Sequence, residues 1–262
     1  MLKNKYNVGN YALSLVSAGQ PGEPGSPVVV LETGLVEEAS AWSAVQEKLS
    51  LDYLTIRYDR AGRGESDPAS KPRSALQMVE DLRRLLQAAG IEAPLILVGH
   101  SFGGMIVRLY AGLYPEQVVG LVLVDPTQEG QFEKVAAVLP PPSAQDSKNL
   151  IGFRQFWSQD YRFPERNREG IDFLLSEAQV APYQSVGDLP VVILSGDKLL
   201  PALADQLDAA EKLRQMWWNM RQDLTRISRK ARHSVVRDSG HSIQVDQPDA
   251  VVEAVLSIAR AG

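Results

Sequence analysis

Residues 99–103, with the sequence Gly-His-Ser-Phe-Gly, have the residue types and spacing of a serine nucleophile. Apolar residues 95–98 precede them and an apolar pattern at helical spacing follows, which predicts a buried strand, a tight turn and a helix. Such a turn holds the serine, Ser101, in a strained conformation with its hydroxyl projecting outward. We expect the two glycines to be required because the bend leaves no room for a Cβ. The helix that starts at Phe102 points free N–H groups at any oxyanion formed beside the serine.

A serine hydroxyl needs a base to remove its proton as it attacks. The chain has three histidines. His100 lies inside the turn, and His233 enters a predicted strand, where packing or solvent exposure is the ordinary role. His241 follows a predicted strand end in a Ser-Gly-His-Ser loop, from which it could reach Ser101. We therefore predict that His241 is the base. None of the three has the neighbours that a metal site needs.

The third member of such a site is a carboxylate that orients the histidine. Two aspartates lie at predicted strand ends between the serine and the histidine in the chain. Asp125 ends the strand after the serine helix, and Asp197 follows Gly196 directly. Glu129 is a third, less favoured candidate. The residues by themselves leave the choice between the two aspartates open.

The elements that must position these side chains form a regular pattern. An early edge strand is predicted at residues 11–17. Further strands are predicted at 28–31, 53–58, 95–98, 118–124, 191–196 and 234–238, with helices between most of them. Most of these strands are apolar throughout, so we expect an α/β fold with a mostly parallel sheet covered by helices on both faces. Ser101 and Asp125 then fall at the carboxyl ends of strands, where chemistry occurs in such sheets.

Residues 127–187 break the alternation and carry eight aromatic residues. We expect a helical cap inserted between residues 1–126 and 188–262, which form the core domain. Phe153, Phe156 and Trp157 are the first candidates to line an apolar pocket beneath it. The alternative is a subdomain whose aromatic residues pack their own core.

Composition limits the classes of function. The chain has 262 residues, a hydrophobic share of 44% and a formal net charge of −5, which gives no basic field for nucleic acid or an anionic membrane. It has no cysteine, so a thiolate nucleophile or metal site is excluded. We expect no cofactor, since no glycine-rich phosphate-binding motif follows a strand. The N-terminus lacks the apolar stretch of a signal peptide, which favours a cytoplasmic protein. The partner that we expect is a small-molecule substrate.

The chain resembles the α/β-hydrolase superfamily, in its cap-bearing serine hydrolase branch, over nearly its whole length. The resemblance rests on residues 59–66, 99–104 and 239–241. In that family the acid commonly stands three residues after a glycine that matches Gly196, and this chain has Leu199 there. Other members carry the acid at the end of the strand after the nucleophile helix, where Asp125 lies. The resemblance therefore favours Asp125 over Asp197.

The resemblance also implies two backbone donors for an oxyanion, the N–H groups of Phe102 and Leu35. Family members usually have His-Gly in the loop that carries the second donor, and this chain has Thr33-Gly34. Because the backbone donates, loss of that histidine is compatible with activity.

The function that these residues indicate is hydrolysis of an ester, or a related acyl bond, of a small and largely apolar molecule. Ser101 is expected as nucleophile, His241 as base and Asp125 as the orienting acid. A carbon–carbon bond hydrolase and a perhydrolase remain alternatives within the enzyme class. The alternative from another class is a small-ligand sensor on the same scaffold with weak or no turnover.

Overall fold

The computed structural model describes residues 1–198 and 206–260. Its strands are β1 (Leu2–Asn7), β2 (Ala12–Ala18), β3 (Val28–Glu32), β4 (Thr55–Tyr58), β5 (Leu95–His100), β6 (Val118–Val124), β7 (Val191–Gly196) and β8 (Ala231–Val236). Its α-helices are α1 (Ser43–Leu49), α2 (Ala75–Ala88), α3 (Phe102–Leu113), α4 (Gln131–Val138), α5 (Lys148–Ser158), α6 (Phe173–Val180), α7 (Leu207–Leu224), α8 (Ile243–Asp246) and α9 (Pro248–Ala259). No helix in this part of the chain is long and apolar enough to cross a membrane.

The eight strands form one sheet in the order β1-β2-β4-β3-β5-β6-β7-β8. Strand β2 is antiparallel to both of its neighbours, and all other neighbouring strands are parallel. This arrangement confirms the predicted α/β fold. The prediction of an edge strand at residues 11–17 is wrong, because β2 lies between β1 and β4 and the edge is β1. The residues of β1 are almost all exposed and mostly polar, so they carry no hydrophobic pattern.

The core lies on both faces of the sheet, as its apolar strands require. Adjacent residues of β5 point to opposite faces: Leu97 packs in the cluster that includes residues of α2 and α3, and Val98 packs in the cluster that includes residues of α1 and α9. Both side chains are completely buried. The two faces together hold the carboxyl ends of β5 and β6 side by side, and this edge carries the candidate site.

The segment between β6 and β7 contains α4, α5 and α6. A third core cluster joins α4, α5 and α7 through residues that include Val135, Leu150 and Leu213. Helix α7 follows β7 and so lies outside residues 127–187, yet it packs with the predicted cap. The division into core and cap stays a prediction. The predicted helix start near Pro201 lies outside the described residues.

Candidate active site

Ser101 lies in the turn between β5 and α3. Its backbone angles, φ 50° and ψ −120°, are in a region that residues with a Cβ rarely adopt. A Cβ on Gly99 would lie 2.5 Å from the carbonyl oxygen of Gly103, and one on Gly103 would lie 2.5 Å from that of Thr33. These distances confirm that the turn depends on glycine at both positions. This turn places Ser101 at the tip of β5, where it lines a cavity.

Asp125 and His241 follow β6 and β8, which are separated by β7 in the sheet, and they meet beside the Ser101 turn. Asp125 follows β6 directly with a φ of 40°, and its N–H donates to the carbonyl of Leu194 at 2.8 Å. His241 lies in the loop between β8 and α8. A Cβ on Gly196 would lie 2.2 Å from the carbonyl oxygen of Gly240, so glycine there lets the loop pack against the end of β7. The Nδ1 atom of His241 lies 2.6 Å from Oδ2 of Asp125.

The carboxylate of Asp125 has a second partner. Arg221, which is 3% exposed, places Nη2 at 3.3 Å from Oδ1 of Asp125 and donates from Nη1 to Gln128 at 2.9 Å. Burial by itself would raise the pKa of Asp125. The hydrogen bond with His241 and the charge of Arg221 outweigh that effect and lower this pKa to about 2. Asp125 is therefore ionised at neutral pH and bound through both of its oxygens.

Ser101, Asp125 and His241 line one cavity of about 570 Å³. Within the described residues, His241 is hydrogen-bonded through Nδ1 to Asp125, but its ring makes no hydrogen bond with the hydroxyl of Ser101. Catalytic hydrogen bonds are often long in ligand-free sites and shorten when a substrate binds. The arrangement thus brings the predicted nucleophile, base and acid to one cavity and leaves the Ser101–His241 bond unformed.

The competing carboxylates lie in other surroundings. Asp197 lines the same cavity but is exposed, and it makes no hydrogen bond with His241 in the described structure. Glu129 accepts two hydrogen bonds from Arg108, at 2.8 and 3.0 Å, and lies outside the cavity. Leu199 lies outside the described residues. Of the three candidate acids, Asp125 is the one that contacts His241.

The loop of residues 33–36 is the predicted source of the second oxyanion donor. The buried Arg60 donates to the carbonyl groups of Thr33 and Gly34, each at 2.6 Å. The N–H of Gly34 donates to Glu37 at 2.7 Å, and the N–H of Val36 donates to Glu169. Most backbone polar groups of this loop are therefore engaged, which fixes its path.

The two predicted oxyanion donors are left without an acceptor by this arrangement. Among the described residues, neither the N–H of Phe102 nor the N–H of Leu35 makes a hydrogen bond. Neither residue lines the cavity, and the ring of Phe102 packs against Phe173 with centroids 5.4 Å apart. The role of both N–H groups as oxyanion donors stays a prediction.

Aromatic side chains from two helices form the apolar wall of the cavity. Helix α5 contributes Phe153 and Trp157, and helix α7 contributes Trp217 and Trp218. Phe153 and Trp157 share a helix face because they are four residues apart. Phe156 lies on another face of α5: it contacts Phe132 and Phe173 and does not line the cavity, so the expectation for this residue is wrong.

Interpretation of the sequence did not place α7 at the site. Four of its cavity residues have the spacing i, i+3, i+4 and i+7: Arg214, Trp217, Trp218 and Arg221. That spacing puts them on one face of the helix. The spacing is visible in the sequence, but it does not show what this face of the helix packs against. Arg221, the partner of Asp125, is the functional candidate that was missed for this reason.

A family model described as the alpha/beta hydrolase fold matches residues 27–150. This segment contains the Ser101 turn and Asp125, and the sheet topology agrees with it. The chain has the α/β-hydrolase fold.

Solved structures of two esterases align along the whole chain. An esterase from Thermogutta terrifontis is 18% identical, with a TM-score of 0.65 and coverage of 100% of this chain and 99% of that one. The carboxylesterase CesB (YbfK) from Bacillus subtilis is also 18% identical, with a TM-score of 0.64 and coverage of 100% and 92%.

At this level of identity the two structures show a shared fold alone. A relative from Hormonema carpetanum, named "Probable transporter efuK", is 30% identical over 216 residues, which are 74% of this chain and 31% of that protein. The chain therefore spans about a third of the length of that relative.

Proposed function

We propose that this α/β-hydrolase is a serine hydrolase that cleaves an ester, or a related acyl bond, of a small and largely apolar substrate. The 2.6 Å contact between Asp125 and His241, at the cavity that also holds Ser101, carries the proposal. A serine on a strained turn, a histidine oriented by a carboxylate and free backbone N–H groups are the parts that acyl transfer requires.

In the proposed reaction, Oγ of Ser101 attacks the substrate carbonyl while Nε2 of His241 takes the hydroxyl proton. The tetrahedral intermediate collapses when His241 gives this proton to the leaving alcohol, which leaves an acyl group on Ser101. A water molecule then attacks the acyl-enzyme, with His241 acting as base and then as acid again. Release of the carboxylic acid restores Ser101.

One carboxylate and two backbone N–H groups stabilise the charges that develop in this reaction. Asp125 accepts a hydrogen bond from Nδ1 of His241, which leaves Nε2 free to take the proton and favours the imidazolium that forms. The N–H groups of Phe102 and Leu35 would hold the oxyanion. A single donor of this kind is worth roughly 2.7–4 kcal/mol in a serine protease.

The wall of the cavity supports an apolar substrate. Phe153, Trp157, Trp217 and Trp218 offer extended apolar surface, and a volume of about 570 Å³ is in the range of small-molecule sites. The descriptions of the two aligned structures as an esterase and a carboxylesterase also favour ester chemistry.

Hydrolysis of p-nitrophenyl butyrate tests the proposal. We expect Ser101→Ala to lower kcat by at least a thousandfold, since removal of a nucleophile leaves the residual rate supplied by the remaining groups. Ser195→Ala is the matched control: Ser195 lines the same cavity, but its hydroxyl contacts His233 at 2.8 Å. A loss within tenfold is expected for the control. No hydrolysis of any acyl ester by the wild-type protein, or equal rates for wild type and Ser101→Ala, would refute the proposal.

A further inference from the structure

Glu37 joins three segments of the candidate active site. One of its carboxylate oxygens, Oε2, accepts the N–H of Gly34 at 2.7 Å, in the loop that carries Leu35. The same oxygen lies 2.8 Å from Nδ1 of His100, the residue before Ser101. The other oxygen accepts from the amide of the buried Gln244 at 3.2 Å, in α8, just after the His241 loop.

His100 extends these contacts to the predicted base. Its Nε2 lies 2.9 Å from the backbone carbonyl oxygen of His241, and the two imidazole centroids are 4.6 Å apart. A carbonyl oxygen can only accept, so Nε2 carries a proton. The Nδ1 atom has two contacts, with Oε2 of Glu37 and with the amide nitrogen of Gln244. Burial would raise the pKa of Glu37, but the hydrogen bond and charge of His100 lower it below its ordinary value.

Glu37 and His100, which is 2% exposed, therefore form a hydrogen-bonded pair inside the protein. The amide nitrogen of Gln244 lies 3.1 Å from the same Nδ1 atom and ties the pair to α8. Buried polar groups keep their places when each of them is hydrogen-bonded.

The pair is built closely against the oxyanion loop. A Cβ on Gly34 would lie 2.7 Å from Nδ1 of His100 and 2.9 Å from Oε2 of Glu37. Glycine at this position therefore leaves the space that the pair occupies.

We propose that Glu37 and His100 are positioning residues that hold the Ser101 turn, the oxyanion loop and the His241 loop at fixed mutual distances. Their direct effects are on the backbone: Glu37 orients the Gly34 peptide, and His100 orients the His241 carbonyl. This inference rests on the proposed function for its effect on rate, and on the hydrogen bonds alone for the arrangement of the three segments.

Glu37→Gln tests the effect on rate. The substitution keeps the shape of the side chain and removes its charge. A displacement of about 1 Å in a catalytic group can lower the rate about a hundredfold. We expect kcat for p-nitrophenyl butyrate to fall about 10- to 100-fold, with KM changed less than threefold. Glu38→Gln is the matched control, since the neighbouring carboxylate is exposed and contacts Arg63 at 4.0 Å. A kcat of Glu37→Gln within threefold of wild type, on folded protein, would overturn the proposal.

Imidazole ¹⁵N NMR tests the pair without any assay of activity. The chain has three histidines, so His233→Asn and His241→Asn identify the signals of His100. We expect the ring-nitrogen chemical shifts of His100 to show hydrogen bonds at both nitrogens in the wild-type protein, and the Nδ1 shift to change in Glu37→Gln while the Nε2 shift stays the same. An Nε2 atom without a bound proton in wild type would refute the contact with the His241 carbonyl, even if Glu37→Gln fails to fold. The same hydrogen bonds in a protein without hydrolase activity would refute the proposed function and leave the positioning contacts intact.

Discussion

The guanidinium of Arg221 lies 3.3 Å from Oδ1 of Asp125, while the other oxygen of Asp125 lies 2.6 Å from Nδ1 of His241. One carboxylate therefore connects helix α7 with the loop after β8. Arg221 is almost completely buried, so its charge acts on Asp125 with little screening by water. This relationship links the helix that forms one wall of the cavity to the group that orients the predicted base.

Asparagine at position 125 should lower the rate strongly. Asparagine keeps the shape of Asp125 but favours the tautomer of His241 that cannot accept the serine proton, and this change costs about 10⁴ in kcat in a serine protease. We expect a loss of at least about a hundredfold for Asp125→Asn. Asp197→Asn is the control, since Asp197 shares the cavity without contacting His241, and its kcat should stay within tenfold. Both are measured on protein shown to be folded by circular dichroism. The reverse ranking would assign the acid to Asp197.

Truncation of the aromatic wall should change substrate choice. Phe153→Ala and Trp157→Ala remove apolar surface that a long acyl chain would cover, and each 1.4 kcal/mol lost lowers kcat/KM about tenfold. We expect kcat/KM for p-nitrophenyl octanoate to fall more than that for the acetate. Phe156→Ala is the matched control on the same helix, and it should affect both esters equally. Equal losses for the two esters in the Phe153 and Trp157 variants would contradict the proposed wall.

Glu177 should make the stability of the protein depend on pH. Burial raises the pKa of Glu177 to about 7, and the nearby charges of Glu133 and Glu129 add to this, while the N–H of Gly130 opposes it. Because the folded protein then binds this proton more tightly than the unfolded chain, the contribution to stability is complete below the ordinary pKa. It is lost as pH rises from about 4.5 to about 7.

Replacement by glutamine removes this dependence. We expect the melting temperature of Glu177→Gln to exceed that of wild type at pH 8, and the difference to shrink at pH 5, as followed by circular dichroism. Glu165→Gln, at an exposed position, should show no such change. A difference between Glu177→Gln and wild type that is the same at both pH values would contradict the raised pKa.

Local chemistry explains why the Ser101 turn was predictable from the sequence. Its strand, its two glycines and its helix are adjacent in the chain, and the steric reason for each glycine can be stated before the structure is known. The contact between Asp125 and His241 joins residues 116 positions apart. It was predictable because both residues follow strands of one parallel sheet, whose carboxyl ends share an edge.

The features that the sequence did not reveal depend on the orientation of whole elements. Arg221 and the two tryptophans of α7 share a helix face, but no local rule says that this face covers the cavity. Glu37 and Gln244 are polar residues in ordinary loop and helix positions, and their meeting at His100 depends on how three loops pack. Strand β1 was missed because its exposed and polar residues give no alternation to detect.

Covalent labelling of the wild-type protein with a fluorophosphonate tests the nucleophile most directly. The reagent forms a stable adduct with a serine that is activated by a base, and intact-protein mass spectrometry followed by peptide mapping locates it. We predict one adduct per chain, on Ser101, that is absent in Ser101→Ala and present in Ser195→Ala. No adduct on the wild-type protein, or an adduct that persists in Ser101→Ala, would contradict Ser101 as the nucleophile.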